Sequence, residues 1–209
     1  GAFTTMIDVT NLDGSATQSG AAPGWGFSGA SFGGPPTWTV ADNWPVYPDW
    51  LVDGSLANGS RIAFPSATID AGTWASGAPT DLPFQFGYSG IGLALVIHVG
   101  TVSFVHATPG TAAGGNVGGV LNTQEFVATL SNAAGWISSS LCASSALDSI
   151  VQQIEQAQDI LLDGTNVAGQ PCDAISIGIG FDGVQIGPVS QVTFPEQPLP
   201  NICPEAGGD

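Results

Sequence analysis

The chain has 209 residues and carries 17 acidic side chains against one lysine or arginine, which gives a formal net charge of −16 at pH 7. With Arg61 as that one cation, it lacks the basic surface that nucleic acids and anionic membranes require, and the cationic clamp of phosphoryl-transfer enzymes. Hydrophobic residues make up 43% of the chain, which predicts a folded core rather than disorder.

Short strands separated by turns are expected through the N-terminal half. Asp-Gly pairs at 13–14 and 53–54 and an Asn-Gly pair at 58–59 are strong turn signals. The runs between the turns predict strands over residues 3–9, 36–41, 61–70, 84–99 and 101–107. Both alternating sets are apolar in the fourth run, which indicates a strand covered on both faces. The glycine-rich segment 108–120 predicts a loop.

The hydrophobic period then changes from that of strands to that of helices. Residues 122–135 offer Asn122 as an N-cap and Gly135 as the end of a helix. Residues 145–163 place apolar side chains on one stripe, begin with a capping box at Ser145, and end before Gly164. These patterns predict a helical hairpin over residues 122–163.

A strand with one bare face is expected next, within residues 170–187. Ile175, Ile177, Ile179 and Phe181 alternate with Ser176, Gly178 and Gly180. Glycine leaves neighbours nothing to pack on, so we expect this glycine-faced strand to be covered by Trp74 or Trp136, by a ligand, or by another copy. The pair Asp182-Gly183 predicts a two-residue turn, after which residues 184–194 return as a partner strand.

These elements predict a mainly β fold of the α+β kind. We expect a β-sandwich or jelly-roll-like barrel with one inserted helical hairpin, within a single domain over residues 1–195. Residues 196–209 form a proline-rich C-terminal tail.

Three cysteines, Cys142, Cys172 and Cys203, form no CxxC motif, so we expect one disulfide in an exported protein. Cys142 with Cys172 would join the helical hairpin to the glycine-faced strand, and Cys172 with Cys203 is the alternative. The chain begins without methionine, as a mature form after signal-peptide removal would, which predicts an extracellular or cell-surface location.

Catalytic and metal-binding patterns are weak. The segment GASFG at 29–33 places Ser31 in a G-x-S-x-G match, with Asp81 and His98 as triad partners, but its surroundings predict a loop rather than a nucleophile elbow. His98 and His106 have no cluster of further ligands near them, so no metal site is expected. Aspartate-rich turns at 11–15 and 162–166 offer at most weak calcium binding, and no other cofactor is expected.

Four tryptophans lie close together in the sequence: Trp25, Trp38, Trp44 and Trp50. Flat rings with carboxylates nearby, such as Asp42 and Asp49, are typical of glycan-binding modules. The alternative, which we favour, is that these rings cover glycine-rich backbone inside the fold.

Four segments in this order resemble a known group: FPSATIDAGTWASG at 64–77, GGVLNTQEFVATL at 118–130, QAQDILLDGTN at 156–166 and CDAISIGIGF at 172–181. The group comprises uncharacterised secreted or lipoprotein-like proteins of myxobacteria and related bacteria. The resemblance implies export and the order of helix followed by strand, and it implies no activity.

The sequence therefore favours a non-enzymatic extracellular structural protein that associates with copies of itself in a surface, matrix or filament. Few ionic groups, a glycine-faced strand and no convincing catalytic set support this interpretation. A glycan-binding module is the alternative, and a secreted hydrolase is less favoured.

Overall fold

Residues 4–88, 91–142, 144–194 and 203 are described by the computed structural model of the chain. Of the described residues, 40% lie in strands and 21% in helices, counting short 3-10 helices, with several antiparallel pairings and two α-helices. The prediction of a mainly β, sandwich-like fold with inserted helices is therefore confirmed. The predicted tail 196–209 lies outside the described residues except for Cys203.

Twelve strands and two α-helices are found among the described residues. The strands are β1 (Thr5–Val9), β2 (Gly20–Ala21), β3 (Gly24–Ser28), β4 (Trp44–Val46), β5 (Ile62–Phe64), β6 (Thr68–Asp70), β7 (Thr73–Ala75), β8 (Thr80–Tyr88), β9 (Ile91–Val105), β10 (Thr111–Asn122), β11 (Ala174–Val184) and β12 (Val189–Val192). The helices α1 (Thr123–Ile137) and α2 (Ser145–Gln156) lie between β10 and β11.

Backbone contacts divide the chain into two compact units. Unit 1 comprises Gly1–Leu82, Gly100–Gly118 and Gly178–Glu196. Unit 2 comprises Pro83–Val99, Gly119–Ile177 and Gln197–Asp209, and it contains both helices.

The strands form three sheets. The first is the antiparallel sheet β1–β3–β5, and the second pairs β4 with β12 in parallel. The third has the order β11–β10–β9–β7–β6–β2, with β8 also paired to β9. One end of this third sheet is the two-residue strand β2, and the other is the eleven-residue strand β11.

The core of unit 1 is built around Trp74, which is fully buried. Its ring stacks on Phe104 of the third sheet at 5.0 Å and meets the edge of Phe64 of the first sheet at 5.6 Å. Its indole Nε1 donates to the Ala22 carbonyl at 2.8 Å, so the buried polar atom is satisfied. Burial of each such ring stabilises the fold by about 1.5–3 kcal/mol, which matters in a chain with a single lysine or arginine to form ion pairs.

In unit 2, the start of α1 confirms the sequence prediction. The Asn122 side chain accepts hydrogen bonds from the backbone N–H groups of Gln124 at 2.9 Å and Glu125 at 3.2 Å, as an N-cap does. The helix continues to Ile137, so Gly135 lies inside its last turn rather than at its end.

The disulfide of unit 2 joins Cys142 to Cys203, and Cys172 is a free, partly exposed thiol. The prediction of one disulfide is confirmed, but both predicted pairings, Cys142 with Cys172 and Cys172 with Cys203, are wrong. Gly135 provides the physical reason, because the absence of a side chain there lets the Cys203 sulfur lie against α1. Spacing along the chain carries no information about that approach.

The second helix is shorter than predicted. It begins after Ser144, whose hydroxyl accepts from the Leu147 N–H at 3.2 Å, and it ends at Gln156 instead of residue 163. The helix stops because the following segment pairs with β11: Ile160 forms an antiparallel bridge with Ala174.

Two segments exchange their predicted roles. Residues 36–41 form a turn rather than a strand, whereas the predicted loop 108–120 is largely strand β10. Glycine in β10 serves packing, since a Cβ at Gly115 would stand 2.5 Å from the ring of Phe181. The glycine-rich sequence therefore predicted a loop, whereas the structure shows a strand in which glycine leaves room for the ring of a neighbouring strand.

The predicted hairpin at Asp182-Gly183 is also wrong. β11 continues through these residues to Val184, and β12 pairs with β4 instead of returning beside β11. The Asp182 carboxylate accepts the N–H of Gly114 at 2.9 Å, so it binds the neighbouring strand rather than its own turn.

Candidate interaction site

The tryptophan cluster is mostly part of the core of unit 1. Trp44 is fully buried, Trp50 is 8% exposed, and Trp25 packs partly buried against the same core. The prediction of a glycan or partner surface formed by all four rings is therefore wrong. Three of the rings pack in the core, where burial of large rings stabilises this glycine-rich region. Trp38 alone of the four is well exposed, at 49%.

Trp38 is displayed by a turn that Asp42 organises. The Asp42 carboxylate accepts from the backbone N–H groups of Thr37, Trp38 and Thr39 and from the Thr37 hydroxyl, at 2.7–3.3 Å. Burial opposes ionisation of Asp42, but the hydrogen bonds from Thr37 and its neighbours outweigh it and hold the pKa of the carboxyl below 3.8. The turn keeps Trp38 in the left-handed region, at φ 60°.

The outer edge of β11 is the second candidate. Successive residues of a strand direct their backbone groups to alternate edges. The backbone carbonyl of Asp173 accepts from the Thr123 N–H, and the Gln185 N–H donates to the Gly110 carbonyl. Thr123 and Gly110 directly flank β10, so the odd-numbered residues of β11 face β10.

Even-numbered residues of β11 consequently face away from β10. Ala174 exchanges backbone hydrogen bonds with Ile160, and the Ser176 N–H donates to the Asp159 carboxylate at 2.7 Å. The alternation therefore places Ile160 and Asp159 on the side of β11 away from β10; at the start of the strand, the Asp173 N–H also donates to the Ile160 carbonyl at 3.3 Å. Beyond Ser176, the row consists of Gly178, Gly180, Asp182 and Val184, and we call these four residues the outer row.

The outer row has no strand partner among the described residues, and β11 is the last strand of its sheet. Its side-chain face is open as well. A Cβ added at Gly178 would have no described atom within 4 Å, and one at Gly180 would meet the Gly115 carbonyl at 3.9 Å. Val184 is 61% exposed. Neither Trp74 nor Trp136 therefore covers the glycines of this strand.

Asp159 closes the edge at the point where the outer row begins. Besides the Ser176 N–H, its carboxylate accepts the Ser176 hydroxyl at 2.5 Å. These hydrogen bonds from Ser176 hold the pKa of Asp159 below its usual value of 3.8. A carboxylate bound to an edge N–H prevents another strand from pairing there, so the free edge starts at Gly178.

Sequence reasoning found Gly178 and Gly180 but missed Asp159 and Asp182. The sequence predicts a helix at Asp159 and a turn at Asp182. One signal was present for Asp182: it continues the even-numbered alternation of Ser176, Gly178 and Gly180, and Val184 follows it.

The serine and the histidines that the sequence offered as catalytic or metal-binding candidates have hydrogen-bond partners within the chain. The Ser31 hydroxyl donates to the Phe32 carbonyl at 3.3 Å within an exposed loop. His98 Nε2 lies 3.1 Å from a Glu125 carboxylate oxygen, and His106 Nδ1 lies 2.9 Å from the Thr111 carbonyl. Across the residues with described positions, no three His, Cys, Asp or Glu side chains converge as a metal site.

Unit 2 also contains an apolar cavity of about 240 Å³. Leu93 of β9, Leu130 and Ala134 of α1, and Leu147 and Ile150 of α2 contribute to its lining. Its lining provides space for an apolar group and no polar side chain to orient one. None of the described helices is both long and apolar enough to cross a membrane.

Comparisons with known proteins identify no relative. No family model matches the chain, no curated protein matches it, and no solved structure matches its fold.

Proposed function

We propose that this chain is a non-enzymatic extracellular structural protein that associates with copies of itself through the outer edge of β11. The unpaired outer row is the observation that carries this proposal. Exposed backbone N–H and C=O groups on a long edge strand are a template for another strand, and proteins that remain separate normally block such edges.

Two further features support the proposal. The Cys142–Cys203 disulfide is of a kind that persists in oxidising compartments, as an extracellular location provides. The outer row carries one charged side chain, Asp182, whereas the chain as a whole has a net charge of −16. Most of the negative charge therefore lies outside the outer row, and salt or calcium weakens the repulsion between copies.

The test measures mass in solution by light scattering or sedimentation, across protein concentration and salt. We expect the native chain to form larger species as either increases. Gly180→Pro removes an N–H that faces away from β10, so it blocks pairing and leaves the contacts with β10 in place. Gly180→Ala is the matched control, because it keeps the N–H and its Cβ meets only an ordinary contact.

A native chain that stays monomeric under all conditions would overturn the proposal. Association of Gly180→Pro equal to that of Gly180→Ala would overturn the assignment of β11 as the edge that pairs. Circular dichroism of both variants checks that the fold is retained.

Glycan binding remains a second candidate, now centred on Trp38. Its exposed ring on a turn fixed by Asp42 is the observation that favours it. A glycan array with the native chain and with Trp38→Ala tests it: binding that disappears in the variant supports a sugar-stacking role, and an array without binding rejects it.

A further inference from the structure

We infer that two copies pair antiparallel through their β11 strands in one register, with Gly178 opposite Val184 and Gly180 opposite Asp182 of the second copy. This inference rests on the proposed self-association and specifies its geometry. The interface then has a twofold axis at Phe181, and its hydrogen bonds between the two copies are formed by the outer row of each copy.

The limits of the free edge select this register. At one end, Ser176 is occupied by Asp159, and at the other, β11 ends at Val184. Four outward-facing residues remain in each copy. Centring the pairing on Phe181 places each of the four outer-row residues opposite an outer-row residue of the second copy. Each of these four pairs exchanges two hydrogen bonds, so about eight hydrogen bonds form between the copies.

The neighbouring registers form fewer hydrogen bonds between the two copies. Centring on Gly180 leaves three pairs unless Asp159 is displaced from Ser176, which means about six hydrogen bonds. Centring on Asp182 also leaves three pairs, and it places the two Asp182 carboxylates directly opposite each other. Like charges in directly opposed positions destabilise a strand pair.

The sizes of the opposed side chains favour the same register. Directly opposed residues of an antiparallel pair project to the same face of the sheet. Val184, which is 61% exposed, therefore lies beside the open space at Gly178 of the second copy. Asp182 likewise lies beside Gly180, so each bare position meets a larger side chain.

The self-complementarity of the edge favours a second copy over an unrelated peptide as the occupant. The edge is complementary to itself in both hydrogen bonding and size, and a twofold axis repeats each favourable pair. Such an isologous contact is closed, so it produces a dimer and not an open filament. Any larger assembly requires a second surface.

The test places nitroxide spin labels at Gly178→Cys or Val184→Cys, each in a Cys172→Ser background with the native disulfide intact. Label-to-label distances between copies are measured by pulsed electron paramagnetic resonance. In the inferred register each label lies six residues along the strand from its symmetry mate, or about 20 Å, so both sites give the same distance. Dilution with unlabelled protein must abolish the signal, which confirms that it arises between copies.

The possible outcomes distinguish a failure of the inferred register from a failure of the proposed self-association. Centring on Gly180 instead would bring the label at 178 to about 14 Å and move the label at 184 to about 27 Å. Unequal distances of this kind overturn the register. Long distances at both sites, in a sample that sizing shows to be dimeric, overturn pairing through β11 and leave self-association standing. A monomeric sample of the unlabelled Cys172→Ser chain overturns both.

Discussion

The sulfur of Cys203 lies against Gly135 so closely that a Cβ at Gly135 would be 2.6 Å from it. The same Cβ would lie 3.3 Å from the sulfur of Cys142. A glycine inside α1 therefore fixes where the disulfide packs, and it explains why this helix tolerates a residue that disfavours helices.

Gly135→Ala separates these two effects. Alanine increases helix propensity by about 1 kcal/mol, but overpacking against the disulfide costs about 1–3 kcal/mol. We expect a net decrease in the free energy of unfolding, measured by chemical denaturation. In a Cys142→Ser/Cys203→Ser background the decrease should become smaller or turn into an increase. An equal decrease in both backgrounds would contradict the packing explanation.

Removal of the disulfide should destabilise the chain substantially. Its cysteines are 61 residues apart, so Cys142→Ser/Cys203→Ser frees a long loop in the unfolded state. The chain-entropy relation gives a loss of about 4 kcal/mol in the free energy of unfolding. Cys172→Ser is the control, because this thiol is unpaired, and it should have a small effect. A larger effect of Cys172→Ser than of the double variant would contradict the observed pairing.

Gly187→Ala should be among the most destabilising single changes in unit 1. A Cβ there would stand 1.9 Å from the Asp42 carbonyl oxygen and 2.8 Å from that of Val40, and backbone atoms cannot move aside. We expect a loss of about 3 kcal/mol or more, measured by thermal or chemical unfolding. Gly33→Ala is the matched control, since a Cβ at Gly33 meets nothing within 4 Å.

Asp42 should make stability fall in acid. Because the pKa of its carboxyl is lower in the folded chain than the usual 3.8, its contribution is complete above 3.8 and disappears as pH falls through the folded value. The free energy of unfolding of Asp42→Asn should therefore depend less on pH in the acid range than that of the native chain. Identical slopes for Asp42→Asn and the native chain would reject this role.

The sequence predicted those elements whose determinants are local. The N-cap at Asn122 and the amphipathic stripe of α2 depend on residues within a few positions of each other, and both helices begin where expected, although α2 ends at Gln156 instead of residue 163. The alternation of isoleucine with small residues in β11 likewise depends only on the strand itself.

The predictions failed where a distant residue decides the structure. The sequence pair Asp182-Gly183 is a turn signal, yet the Asp182 carboxylate binds Gly114, which lies 68 residues away in the chain. The glycines of β10 suggest a loop until the ring of Phe181 is placed beside Gly115. Cysteine pairing depends in the same way on the contact of Cys203 with Gly135.

The candidate site was predicted in part. Gly178 and Gly180 were recognised as an uncovered face, and they are uncovered within the described chain. Their position at a sheet edge was not predictable, because the hairpin expected after Asp182 would have placed a partner strand beside β11. The closing role of Asp159 depends on its contact with Ser176, 17 residues further on.

Amide hydrogen exchange of β11 tests the central claim most directly. In dilute solution, the amides of Ile179 and Phe181, which face β10, should exchange slowly, and those of Gly178 and Gly180 should exchange fast. At concentrations where the chain associates, the amides of Gly178, Gly180, Asp182 and Val184 should become protected as well. Fast exchange of these four amides in a sample that is demonstrably associated, or the absence of association at every concentration, would contradict the account.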